Sequence, residues 1–178
     1  MGERFAPLDP VWNKSGSFED LDFGNLINHF AKVFHLRAGY IQNPDPHKIQ
    51  ELKNFIGKRA ATYQQWGLKG FSLVYLLPEF ARHCPEPPKV LVMRRSFASS
   101  VNSFLARSGY PLGEIISTFG HDLYNLDMVY QTYPGPKMEV QFESLIERPT
   151  EGVEAIASFC GLNAGDMAAL IDPSQRRF

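Results

Sequence analysis

Cysteine is scarce in this chain. Its 178 residues hold two, Cys84 and Cys160. They are too few for a disulfide framework and lack the spacing of a metal-binding pair, so both read as small buried apolar residues. An excess of one charge is also missing: 18 Lys and Arg stand against 19 Asp and Glu, a formal net charge of −1. No overall field draws such a chain to nucleic acid, and an anionic ligand would need a local cluster of cations. No apolar run approaches the roughly 20 residues of a membrane-spanning helix. Glu3, Arg4 and Asp9 interrupt any amino-terminal signal sequence, which makes cytoplasmic the default expectation. No strand leads into a glycine-rich loop with a Lys-Ser or Lys-Thr pair, and no acidic magnesium pair ends a strand. Both absences count against a P-loop kinase-like phosphotransferase. Internal repeats and low-complexity tracts are absent too.

What is present is apolar and aromatic, at 44% and 13% of residues, the composition of a folded chain. The length suits a single domain over residues 1–178. Met1–Ser17 reads as loop. Glu19–Leu36 has helical apolar spacing. Lys48–Gln65 is a second helix, whose Ile49, Leu52, Phe55 and Ile56 form one stripe facing a core. Trp66–Lys69 reads as a short strand and Leu73–Arg82 as a helix. Proline crowding at Pro85, Pro87 and Pro88 precedes a strand over Val90–Met93. Ser96–Arg107 reads as helix, ended near Ser108-Gly109. Leu112–Tyr133 is a long helix with a possible break at Gly120, and Met138–Phe142 a third strand. Helices near Thr150–Cys160 and Ala164–Ile171 follow. Strands alternating with helices give an α/β fold with a parallel sheet, in which ligands bind beyond the carboxyl ends of the strands.

The most informative stretch is Lys89-Val-Leu-Val-Met-Arg94-Arg95-Ser96, followed at once by a helical pattern. A strand end, a cationic pair and a helix N-terminus together make an anion site. The helix start has unpaired N–H groups and a positive dipole end, and a guanidinium adds a fork of donors. The plainer alternative makes the arginines surface or ion-pairing residues and Ser96 an N-cap.

Beyond this stretch the chain resembles sulfotransferases that use 3′-phosphoadenosine 5′-phosphosulfate (PAPS). Arg95 and Ser103 have the eight-residue spacing of that family's 3′-phosphate motif, whereas Arg94 and Asn102 do not match it. Trp66-Gly-Leu-Lys69, running into Leu76-Leu77-Pro78, is similar to the family's Trp-Gly-x-Lys and Leu-Leu-Pro segment. Phe142-Glu143-Ser-Leu145, Arg148-Pro149 and Phe159-Cys-Gly161-Leu162 resemble its carboxyl-terminal elements, and Gly16-Ser-Phe18-Glu19-Asp20 its Gly-Tyr-Phe-Glu-Asp element. The resemblance spans nearly the whole chain except the family's first strand, phosphate-cradling loop and helix, a piece of roughly thirty residues. It therefore implies a three-layer P-loop-type parallel sheet flanked by helices, in an amino-truncated form. A targeting signal could be lost with the missing piece.

The activity implied is transfer of a sulfuryl group from PAPS, with no metal, to a hydroxyl or amine of an unidentified acceptor such as a carbohydrate or small metabolite. Arg95 and Ser103 would bind the donor's 3′-phosphate. The other reading of Ser99, Ser100 and Ser103 is a small-residue helix face packed on the sheet. Lys69 would approach the transferring group. Phe71 replaces the base histidine of one family branch, which leaves Glu19 as the base expected, with Asp20 and Asp22 weaker choices; Glu19 could equally be a first-turn acid favoured by the helix dipole. Arg176 and Arg177 could fold back to the donor, or belong to a solvated tail. Alternation along the strand points Arg94 away from Arg95 and makes it structural. Glu143 should orient the donor loop or pair with an arginine. The alternative function is a non-catalytic, degenerate nucleotide-binding module that keeps only the 3′-phosphate half-site.

Overall fold

The computed structural model describes residues 22–26, 45–70 and 73–165. Among them the fold mixes helix and sheet, with a two-stranded parallel sheet flanked by helices. The elements run α1 (22–26), α2 (Pro46–Thr62), α3 (Leu73–His83), β1 (Val90–Arg94), α4 (Phe97–Ser108), α5 (Leu112–Thr132), β2 (Lys137–Gln141), α6 (Phe142–Glu147) and α7 (Pro149–Cys160). Two compact units emerge: Met1–Glu86 with Asn125–Gln131, and Pro87–Tyr124 with Thr132–Phe178. No described helix is long and apolar enough to cross a membrane.

The first unit is built on an aromatic core. Pro46 at the first helical position and Asp45, whose Oδ1 accepts the His47 N–H at 2.8 Å, start α2. The expected stripe faces inward, with Leu52 and Ile56 fully buried and Ile49 and Phe55 packed against the same cluster. From α1 come Phe23 and Leu26, from α3 Leu76 and Phe80. The rings of Phe23, Phe55, Trp66 and Phe80 meet in tilted and edge-on pairs 5.5–6.3 Å apart. Each such burial contributes about 1.5–3 kcal/mol. That outweighs the cost of Pro78 inside α3, which has no N–H to give to the preceding turn. The buried Arg59 stays compatible with this core by stacking on Phe55 at 5.2 Å and reaching Asp22 at 3.5 Å.

Trp66–Lys69 is not a strand. Trp66 and Leu68 are partly buried, packed against the core, and Gly67 and Lys69 are exposed. No described strand lies alongside to form a ladder with it. Helix α5 runs unbroken through Gly120, where no neighbouring atom comes within 4 Å of an added Cβ and nothing forces a kink. Phe142 opens α6 instead of closing β2.

In the second unit β1 and β2 pair in parallel, Val90 opposite Lys137 and Arg94 opposite Gln141. The lead-ins to the two strands are tied together. The Val90 N–H donates to Pro136 O at 2.9 Å, and the buried Tyr133 hydroxyl donates to Pro88 O. Gly135 sits so close to the Tyr133 ring that an added Cβ would fall 2.3 Å from its hydroxyl oxygen. Helix α4 ends at Gly109 in the left-handed region (φ 66°) and α7 at Gly161 (φ 75°). Of the expected helix Ala164–Ile171, residues 164–165 are helical and the rest lies outside the described residues.

Candidate functional site

Parallel pairing brings the carboxyl ends of β1 and β2 to the same edge of the sheet, because Arg94 stands opposite Gln141. The residues that leave each strand therefore meet. From β1 come Arg95 and Ser96, at the entrance to α4. From β2 come Phe142 and Glu143, in the first turn of α6. The Arg95 guanidinium carbon lies 5.4 Å from the centre of the Phe142 ring, within cation–π range. The Ser96 N–H donates to Glu143 Oε1 at 3.0 Å. Ser96 also caps its own helix: its Oγ accepts the Ser99 N–H at 3.2 Å and donates to Ser99 Oγ at 2.7 Å.

Arg94, one residue earlier, takes the other side of the strand. Its Nε donates to Glu139 Oε2 at 2.6 Å, and Gln141 Nε2 donates to Glu139 Oε1 at 3.1 Å. Glu139 thus accepts through both carboxylate oxygens within the sheet. Arg94 is a cross-strand ion-pair partner, in keeping with the alternation that separates it from Arg95.

Ser103 lies two turns into α4 and is half-buried, like Ser99 and Ser100. Spacings of three and four residues set Ser96, Ser99, Ser100 and Ser103 along one side of the helix. In the first turn the amides of Ser96, Ser99 and Ser100 donate to Glu143 Oε1, Ser96 Oγ and Ser96 O. The amides of Phe97 and Ala98 fall between them, in the turn where a helix has no acceptors of its own. A guanidinium, first-turn amides and a serine flank together form a lobe suited to a phosphate or sulfate group.

One anion is already there. The Glu143 carboxyl is held below its ordinary pKa, first by the Ser96 amide, then by its own backbone amide, with the Arg95 charge adding to both. Glu143 therefore finds its main partner in a backbone N–H at the helix start, where the helix dipole also favours negative charge. Neither this contact nor the Phe142 ring beside Arg95 was foreseen in the sequence. The signal for both lay in the strand register, which aligns the two residues after Arg94 with the two after Gln141.

Lys69 is exposed, in the segment between α2 and α3 of the first unit and outside any strand. Glu19, Arg176 and Arg177 lie outside the described residues, so the structure groups only Arg95 and Ser103 of the expected site, on one strand–helix junction. Among the described residues no group of three or more His, Cys, Asp or Glu side chains could hold a metal ion. No family model, no curated protein and no solved structure matches the chain.

Proposed function

We infer that this chain is a PAPS-dependent sulfotransferase domain that binds the donor's 3′-phosphate through Arg95 and Ser103. The observation that carries the reading is the junction itself. A parallel strand ends at Arg94, the cation Arg95 follows it, Ser96 then caps a helix, and the half-buried Ser103 comes two turns down. This arrangement favours a phosphate at the strand's carboxyl end, and the ordered motifs from Trp66 to Leu162 support the family. In this reading β1 and β2 belong to a three-layer P-loop-type sheet.

Transfer of a sulfuryl group requires that its oxygens be neutralised, that the leaving phosphate be stabilised and that the acceptor lose a proton. Lys69 would neutralise, Glu19 would take the proton, and Arg176 or Arg177 would add charge at the donor phosphates. The acceptor is a hydroxyl or amine compound, and no metal takes part in these roles.

A second reading is a degenerate module that binds adenosine bisphosphate without catalysis. Among the described residues no strand leads into a glycine-rich loop with Lys-Ser or Lys-Thr. Calorimetric titration with adenosine 3′,5′-bisphosphate tests what the two readings share, with adenosine 5′-monophosphate and Arg95→Ala as controls. Binding should need both the 3′-phosphate and Arg95. A folded wild-type chain that ignores the ligand would rule out both readings. Release of adenosine 3′,5′-bisphosphate from PAPS in the presence of acceptors then separates enzyme from module.

A further inference from the structure

The same junction holds a negative side chain where its ligand would bring negative charge. We propose that Glu143 is a built-in competitor of the anion, a carboxylate that occupies the start of α4 and must yield before a phosphate can settle there. The proposal rests on the phosphate-site reading of Arg95 and Ser103 and assigns that site its specificity.

The geometry supplies the reason. Glu143 Oε1 takes the Ser96 N–H at 3.0 Å, the first donor at the entrance to α4, and its charge lies within the field of Arg95. A phosphate drawn to Arg95 and the first-turn amides meets the repulsion of this carboxylate. The nearest other acid on β2, Glu139, is neutralised by Arg94, so Glu143 supplies the opposing charge. Helix α6 spans only six residues, Phe142–Glu147, and none of them is buried. Little packing therefore holds the Glu143 side chain in place. A weak anion such as chloride gains too little from Arg95 to displace it, whereas a phosphate dianion gains about twice the Coulomb energy. The carboxylate thus acts as a threshold that admits dianions and screens out the common monoanions.

The test is titration of wild-type protein, Glu143→Gln and Arg95→Ala with adenosine 3′,5′-bisphosphate, repeated with added sodium chloride. Glutamine keeps an oxygen for the Ser96 N–H and removes the charge, and circular dichroism establishes that each variant is folded. The expected result is binding about tenfold tighter in Glu143→Gln, the size of like-charge repulsion relieved at a hydrated surface. Chloride should compete more effectively there than in the wild type. In the wild type the Ser96 amide resonance should move on ligand addition as the carboxylate leaves it. Wild-type binding with no gain in Glu143→Gln would overturn the competitor and leave the phosphate site standing. Binding by neither protein would overturn both.

Discussion

The two units treat their apolar side chains in opposite ways. In the first, Leu52, Ile56, Leu76, Phe23 and Phe80 close into one aromatic-rich core. In the second, burial is spread thinly over Val92, Val101, Ile115, Tyr133, Val140, Val153, Ile156 and Ala157. Leu91, Met93, Phe97, Leu105, Tyr110, Leu112, Ile116, Tyr124 and Leu162 all remain exposed there, whereas among the described residues of the first unit Met128 is the one large exposed hydrophobe. Strands of parallel sheets are usually covered on both faces. In β1, Leu91 and Met93 are exposed and Val92 alone is buried. The aromatic core and the Arg95–Glu143 junction thus fall in different units. The first unit holds the aromatic cluster, and the second carries the polar strand–helix junction at which anion binding is proposed.

Core truncation gives the sharpest break in this comparison. Leu76→Ala or Leu52→Ala should cost about 2–5 kcal/mol by chemical denaturation, because a fully buried leucine leaves a cavity behind. Leu91→Ala, at 37% exposure, should cost no more than about 0.5 kcal/mol. Equal losses at both positions would erase the distinction between the units.

The second unit has one tightly fitted place, the turn before β2. Gly135→Ala should destabilise by about 1–3 kcal/mol, because its Cβ would displace the Tyr133 ring that is tied to Pro88. Arg94→Ala removes a partly exposed cross-strand ion pair and should cost under about 1 kcal/mol. It should also leave binding of adenosine 3′,5′-bisphosphate nearly unchanged, unlike Arg95→Ala.

A pH-dependent contrast concerns Cys84, packed against the first core, whose thiol burial pushes up to about 11 from 9.0. A raised thiol pKa favours the neutral form in the folded state. Its contribution is complete below pH 9 and is lost as pH rises through about 11. Iodoacetamide should therefore alkylate Cys84 at pH 8 far more slowly in folded than in unfolded protein.

Much of this was legible in the sequence. The stripe on α2 follows helical periodicity, and Ser96 and Gly109 mark the ends of α4 by their chemistry. The parallel β1–β2 pairing follows from alternating strands and helices. The strand expected at Trp66–Lys69 does not form, because a strand needs a neighbour to pair with and no described strand lies beside this segment. At the site, the spacing of Arg95 and Ser103 could be read directly, since both sit on one strand–helix unit. The meeting of Ser96 with Glu143, 47 positions apart, depends on strand register, which local sequence does not set.

The central claim is that the carboxyl edge of the small sheet binds the phosphate, and amide chemical-shift mapping during titration with adenosine 3′,5′-bisphosphate tests it most directly. The account predicts that the largest shifts fall on Arg95–Ser103 and on Phe142 and Glu143, with the core amides of Leu52, Ile56 and Leu76 unmoved. Shifts centred on those core amides, or none at saturating ligand in a folded protein, would contradict it.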